Sequence, residues 1–193
     1  MCLTEVDRLR EARLEQLNAF LGDSWWHNLW HTVAREDRVR AILDHYLERL
    51  GQALPGWYAL SIPVQDRYGG PVCYYLVLLT RRAEGLWFFN NAVSLGTEKL
   101  HEFTYAQQLV LVPPDLEQDW QGQIERNLVS LLAHGQPFRL CDRTLEVYGQ
   151  TLGLAREKHV RKALEALHAR GQTPTSPKGV GNLDQLRVLP PGR

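Results

Sequence analysis

Two histidines of the stretch WWHNLWH, His27 and His31, stand four residues apart, as two zinc ligands on one side of a helix would. A zinc protease with this pattern needs a glutamate directly after the first histidine as general base, and Asn28 occupies that position. No third ligand is suggested by its position, and the surrounding tryptophans predict a helix that is held down by aromatic packing. We therefore expect no metal site here.

A nucleophile in a recognisable context is also missing. No serine stands in a G-x-S-x-G pattern, and Cys73 lies in the apolar run Val72–Thr80, where we expect it in the core, with a raised thiol pKa and little reactivity. The glycine-rich run KGVGN at 178–182 neither follows a strand nor opens a helix, so it does not fit a phosphate-binding loop. The chain is therefore predicted to be non-catalytic alone and to hold no cofactor.

A basic cluster near the C-terminus is the strongest candidate for a binding site. The segment Ala155–Arg170 has four apolar residues at helical spacing, which predicts a helix with its basic groups outward or flanking. Such a helix suits the recognition helix of a winged helix-turn-helix, and a solvated helix for protein contact is the alternative. The predicted nucleic-acid-binding residues are Arg156, Lys158, His159, Arg161 and Lys162, with Lys178 and Arg187 in a following wing.

The distribution of charge favours the same end of the chain. The 193 residues have a net charge of zero and a composition of 44% hydrophobic and 23% charged residues, which is typical of a globular protein. Residues 1–138 hold 12 Lys/Arg against 17 Asp/Glu, whereas residues 139–193 hold 10 against 5. This asymmetry indicates separate partners for the two regions, with nucleic acid suited to the second.

Local patterns predict the elements that would position these residues. Helical periodicity predicts helices over 3–21, 24–33 and 35–51. The runs Trp57–Val64 and Val72–Thr80 are rich in β-branched and aromatic residues and predict an antiparallel hairpin. A hairpin alone exposes its pairing edges, so we expect self-association or a protein partner through this module.

The chain after the hairpin predicts a compact series of short elements. A helix over Leu86–Ser94 or beyond and a short strand over Gln107–Val112 come first. Then follow a helix over Leu116–His134, a short strand in GQPFRL, a short helix over Asp142–Tyr148, the basic helix and a β-ribbon over 171–190. This is the order of a winged helix-turn-helix.

The predicted fold class is therefore α+β, with N-terminal helices, an antiparallel β-hairpin and a short strand, followed by a winged helix-turn-helix. The predicted units are a helical and hairpin module over 1–113 and a winged-helix domain over 114–193. The N-terminus has no apolar segment typical of a secretory signal, and the run Val72–Leu79 is shorter than the about 20 residues of a membrane span. We expect a cytoplasmic protein with no membrane association.

Several of these segments resemble a known family. The run YLERLGQALPGWYALSIPVQDRYGGPVCYYLVLLTRRAEGLWFFNNAV, at 46–93, is similar to the late part of the methyltransferase domain of three-Cys-motif partner proteins. The segment FLGDSW at 20–25 resembles an upstream element of that family. TLGLAREKHVRKALEALHARGQ, at 151–172, looks like a helix of the winged helix-turn-helix that the family carries downstream.

The resemblance has implications for fold and activity. The family's domain is similar to class I S-adenosylmethionine-dependent methyltransferases, so the hairpin would close one edge of such a sheet. The family's front half, with its glycine-rich cofactor loop, has no counterpart among the 56 residues before Trp57. Because that cofactor crevice lies at the carboxyl ends of the missing strands, we expect no bound methyl donor.

Three functional hypotheses follow from the sequence. The favoured one is a non-catalytic protein that binds double-stranded DNA or a protein partner through a C-terminal winged helix. The alternative is a subunit or remnant of a split methyltransferase whose catalytic half is another chain. A purely structural adaptor is the third.

Overall fold

The described chain is a mixed assembly of helices and short antiparallel strands, of the α+β class that the sequence predicts. A computed structural model describes residues 11–65, 70–108 and 115–192. The helices are α1 (Glu11–Leu21), α2 (Trp26–Thr32), α3 (Arg38–Ala53), α4 (Ala83–Gln108), α5 (Asp115–Ala133), α6 (Thr144–Tyr148) and α7 (Glu157–Ala169). The strands are β1 (Tyr58–Gln65), β2 (Val72–Thr80), β3 (Phe138–Arg139) and β4 (Arg187–Val188).

The N-terminal helices enclose a small core of their own. Leu17 of α1, Trp26 of α2 and Ile42 of α3 are buried against one another, which is the aromatic packing that the tryptophan-rich segment predicts. The helices predicted over 24–33 and 35–51 are confirmed. The predicted helix before residue 11 lies outside the described residues.

The predicted hairpin is confirmed, with β1 and β2 antiparallel and Ile62 opposite Leu76. Side chains of paired residues lie on the same face of the sheet. On one face Leu60 and Ile62 of β1 are buried against α4, whereas every residue of β2 keeps at least part of its surface exposed. The hairpin is therefore covered on β1 and open on β2.

The helix after the hairpin is much longer than its predicted core of Leu86–Ser94, since α4 has 26 residues. Leu86 and Val93 face the hairpin, while Trp87 enters the core of the C-terminal helices. One helix therefore joins the two predicted units through two of its faces.

The end of α4 overlaps the beginning of a short strand that the sequence predicts. Gln107 and Gln108, predicted to begin a short strand, are the last residues of the helix. The remainder of that strand, 109–112, and the predicted boundary between units at 113–114 lie outside the described residues.

The C-terminal helices enclose a second, larger core. The side chains of α5, α6 and α7 that meet in it are fully buried, and the predicted helices over 116–134, 142–148 and 155–170 are confirmed to within a few residues. They include Ile124, Leu128, Val147, Tyr148, Val160, Leu164 and Leu167.

Two short strands flank this core in a way that the sequence predicts only in part. The strand expected in GQPFRL is present as β3, and Phe138 pairs with Val188 of β4. The β-ribbon expected over 171–190 does not form, because only β4 in that segment is a strand and its partner is β3. Pro174 and Pro177 have no amide hydrogen to donate to a ribbon at those positions.

Asparagine side chains of α4 fix the start of α7. Asn90 is buried, its Nδ2 donates to the carbonyl of Ala155 over 3.0 Å, and its Oδ1 accepts from the amide of Gly153 over 2.6 Å. Oδ1 of Asn91 accepts from the amide of Glu157, the first residue of α7, over 2.9 Å. Because buried polar groups need such partners, these bonds set where α7 begins.

The two described cysteines have opposite environments. Cys73 is exposed on β2, which corrects the prediction that it lies in the core: its side of the strand borders an open groove. Cys141 is buried, and burial raises the pKa of its thiol to about 11.

These environments predict selective thiol modification. At pH 8 a maleimide is expected to label Cys73 in the folded protein and to leave Cys141 unlabelled, because a pKa of about 11 leaves roughly one thiol in a thousand ionised. Mass spectrometry of peptides from a Cys2→Ser variant measures both sites, and the chain unfolded in urea is the control in which both react. Equal labelling of the two sites in the folded chain would contradict the burial of Cys141.

Candidate functional site

The outward side of α7 and the loop after it form the surface to which the sequence assigns binding. The apolar stripe of α7 is buried as predicted, through Val160, Ala163, Leu164 and Leu167. Lys162 and Glu165 lie on the opposite, exposed side. The helix therefore presents its charged side to solvent.

His159 does not belong to this surface, which corrects its predicted role. The residue is 2% exposed, and its Nδ1 accepts a hydrogen bond from the backbone amide of Arg156 over 2.9 Å. Its ring also meets the ring of Trp120 edge-on, with 5.7 Å between centroids. His159 lies next to the apolar stripe in the first turn of α7, so it caps the helix from inside and cannot reach a nucleic acid.

Arg156 and Lys158 point toward α4 and share one carboxylate. Arg156 donates from Nη1 to Oε2 of Glu98 over 2.5 Å, and Nζ of Lys158 lies 3.4 Å from Oε1 of the same side chain. About a third of each of the three side chains is exposed, so Glu98 offsets part of the positive charge that the sequence predicts here. A phosphate at this position would compete with Glu98.

Arg161 has a structural contact that the sequence does not predict. Its Nη1 donates to the carbonyl of Pro177 over 2.8 Å, and its Nη2 donates to Oε1 of Glu157 over 3.3 Å. The guanidinium therefore holds the loop at 171–182 against α7. Because Lys178 directly follows Pro177, the contact also brings that lysine to the side of the helix that carries Arg161.

Lys162 and Lys178 are the cations that this arrangement leaves available. Both are exposed, and neither side chain has an ion-pair partner within the described ranges. They flank Arg161, one along the helix and the other along the loop. The contact between Arg161 and Pro177 joins the two segments that carry these lysines, and we call Arg161, Lys162 and Lys178 the α7–loop surface.

Arg187 lies elsewhere, in a second basic patch. It stands opposite Arg139 in the β3–β4 ladder and lines a depression of about 530 Å³ together with Arg139 and Arg143. Arg139 is paired with Asp142 and Glu84, over 2.7 and 3.1 Å. The hydrogen bond with Asp142 raises the pKa of Arg139 and lowers that of the carboxyl, so most of the charge in this depression is internally paired.

The sequence prediction did not include Arg139 or Arg143. Both fall in the segment RLCDR, at 139–143, where two arginines flank an aspartate and resemble an ordinary solvated turn. They approach Arg187 only because β3 pairs with β4, 48 residues later in the chain. Only a correct prediction of that strand pairing could have identified Arg139 and Arg143 as neighbours of Arg187 from the sequence.

An apolar groove marks a different surface, on the open side of the hairpin. It has a volume of about 620 Å³ and lies between β2 and the helices α1 and α3. Its walls are almost entirely aliphatic or aromatic, with Arg35 and Glu36 as charged residues. Side chains that line it include Leu17, Phe20, Ile42, Tyr46, Tyr75, Val77 and Leu79.

Neither a candidate metal site nor a membrane-spanning helix is found among the described residues. In the ranges given above, no group of three or more His, Cys, Asp and Glu side chains is arranged to hold a metal ion. None of the helices there combines the length and the apolar composition that crossing a bilayer requires.

Comparisons with known proteins give no family and no relative for this chain. Neither a protein-family model, nor a curated protein, nor a solved structure matches this chain. The resemblance to three-Cys-motif partner proteins accordingly remains a prediction from the sequence.

Proposed function

We propose that this chain is a non-catalytic nucleic-acid-binding protein whose part from α5 to β4 works as a winged helix. The observation that supports the proposal is the bond from Arg161 to the carbonyl of Pro177, over 2.8 Å, which holds a lysine-bearing loop beside α7. In a winged helix, the recognition helix and the wing contact the duplex together. The α7–loop surface provides the corresponding pair of segments.

The order of elements supports the same proposal. Three helices, α5, α6 and α7, pack on one core, and the strand between α5 and α6 pairs with a strand that follows α7. Eight residues, 149–156, with Gly153 among them, separate α6 from α7, which is longer than the three to four residues of a simple helix-turn-helix turn. The loop at 171–182 takes the place of the wing, although its backbone forms turns instead of a ribbon.

The types of cation on the α7–loop surface favour contact with DNA phosphates over recognition of bases. The cations available on the α7–loop surface are lysines, which act as point charges toward phosphates and carry no sequence information. Arg161, the side chain best suited to a bidentate contact with guanine, is already bonded to Glu157 and Pro177. We therefore expect binding that depends strongly on salt and weakly on base sequence.

This proposal makes a prediction about the salt dependence of duplex binding. Each phosphate contact adds about 0.9 to the slope of log affinity against log salt, so Lys162→Ala with Lys178→Ala should lower the slope by about 2. Fluorescence anisotropy of a labelled 20-base-pair DNA, titrated between 25 and 200 mM salt, measures it.

A matched control keeps this experiment specific. Arg126→Ala removes an exposed cation of α5 that bonds only to Gln123 among the described residues, and its slope should equal that of the unaltered chain. Absence of binding at 25 mM salt, or an equal effect of all three substitutions, would contradict the proposal and favour a protein-contact role for α7.

A second candidate function rests on the hairpin. β2 pairs with β1 on one side, and no described strand pairs with its other edge, as expected where a sheet continues in another chain. Together with the resemblance described above, this favours a subunit of a split methyltransferase. Calorimetry of the isolated chain with S-adenosylmethionine tests the non-catalytic proposal, which stoichiometric binding would overturn. A subunit of a split methyltransferase is expected to bind this methyl donor only together with its catalytic chain.

A further inference from the structure

The two edges of the hairpin are chemically different. β1 carries Pro63 within the strand, and proline is one of the devices by which sheet edges avoid pairing with other chains. β2, with the sequence VCYYLVLLT, carries neither proline nor a charged residue over nine positions. Its outer edge, which meets no strand among the described residues, is therefore open to pairing.

Large apolar side chains are exposed on both faces of that edge. On the face that packs on α4, Tyr74 is 52% exposed and Leu76 is 37% exposed. On the face that borders the groove, Val77 and Leu79 are 42% and 38% exposed. Exposed apolar residues that occur singly need no explanation, but four neighbours on one uncharged edge strand indicate an interface.

We propose that β2 pairs antiparallel with β2 of a second copy of this chain, about a two-fold axis, to form a four-stranded sheet. The strand suits itself as a partner: with Leu76 opposite its own copy, Tyr74 meets Leu78 and Val72 meets Thr80. No charged residue faces another in this register. Nine paired residues supply about nine inter-strand hydrogen bonds, close to the roughly ten of a typical protein interface.

The surroundings of β2 fit a second copy as well. A two-fold axis at β2 places the same face of both strands on the same side of the enlarged sheet, so the partner strand extends the floor of the apolar groove. Phe20 of α1, which lines this groove, is 64% exposed and gains a surface to pack on. The charged residues of the groove, Arg35 and Glu36, have opposite signs, so two copies do not repel each other there.

This inference is independent of the proposed nucleic-acid binding, since β2 and the α7–loop surface belong to different cores. It adds a consequence to that function, because a symmetric dimer carries two such surfaces.

The oligomeric state of the full chain tests the pairing. Sedimentation equilibrium at 5 to 200 µM is expected to give twice the 22.2 kDa of one chain. Tyr74→Lys, which places a charge on the open edge, should raise the dimer dissociation constant by at least 100-fold. Tyr58→Lys is the matched control, since Tyr58 is 42% exposed on β1, and it should leave the dimer unchanged.

Disulfide cross-linking tests the register separately. Opposite residues of antiparallel strands have Cα atoms about 4.5–5.5 Å apart, within reach of a disulfide. In a Cys2→Ser, Cys73→Ser background, cysteine is placed at each position from Tyr74 to Leu78 in turn. Cross-linked dimer should be most abundant at one position, expected at Leu76, and fall on either side.

Three results would overturn the inference. The first is a monomer at 200 µM, which would mean that another segment of this chain or a different protein covers the edge. The second is a dimer that Tyr74→Lys and Tyr58→Lys affect equally. The third is a dimer without cross-linking anywhere along β2.

Discussion

Replacement of Trp87 by alanine is expected to lower the free energy of unfolding by about 4 kcal/mol, within the range for a tryptophan lost from a protein core. Trp87 is fully buried among the side chains of the C-terminal helices, and its ring lies 5.2 Å from that of Tyr148. Its Nε1 donates to Oε2 of Glu157 over 3.1 Å. The substitution therefore leaves a large cavity and removes a bond to the first residue of α7.

Urea unfolding followed by circular dichroism measures this loss, and the adjacent residue is its control. Phe88 is 60% exposed on the same helix, so Phe88→Ala should change stability by less than about 0.5 kcal/mol. Equal effects of the two substitutions would contradict the packing of α4 against the C-terminal core.

Gly153→Ala is expected to destabilise the fold by about 4 kcal/mol, from two separate causes. Gly153 has a φ of 79°, which an alanine adopts only with strain of roughly 1 kcal/mol. An added Cβ would also lie 2.3 Å from Cγ2 of Ile62, a buried residue of β1, so either the turn before α7 or the hairpin must move. Overpacking of this kind adds about 3 kcal/mol.

Gly171→Ala separates these two causes. Gly171 has a φ of 70°, and nothing lies within 4 Å of an added Cβ, so only the backbone strain of about 1 kcal/mol should remain. Thermal unfolding of both variants measures the difference. If the two glycines give the same loss, the close approach of the turn to β1 is wrong.

Local patterns in the sequence predict most of the elements but few of the contacts between them. The third helix and the hairpin follow from the spacing of apolar residues and from the glycines and prolines that end each run. The length of α4 does not, because residues such as Thr97 and Gly96 are poor helix formers and the helix depends on packing against two cores.

The candidate site was predictable in its outline and not in its details. The spacing of Val160, Leu164 and Leu167 gives the outward side of α7, which is enough to place Lys162 correctly. It does not give the buried position of His159 or the pairing of Arg156 with Glu98, which comes from another helix, 58 residues earlier. Contacts between distant segments decide which basic residues stay available.

α4 contacts both the hairpin, for which we propose pairing with a second copy, and α7, for which we propose nucleic-acid binding. Its asparagines fix the start of α7, its Glu98 holds Arg156, and its apolar side packs on the hairpin. Loss of this helix packing should therefore disturb both the α7–loop surface and the hairpin.

Lysine footprinting tests the central claim most directly. The sequence has four lysines, at 99, 158, 162 and 178, so acetylation followed by mass spectrometry reports each one separately. With saturating duplex DNA at low salt, Lys162 and Lys178 are expected to lose at least five-fold in reactivity, while Lys99, on α4 and paired with Glu102, stays unchanged. Unchanged reactivity of Lys162 and Lys178 in a saturated complex would contradict the assignment of the α7–loop surface to nucleic acid.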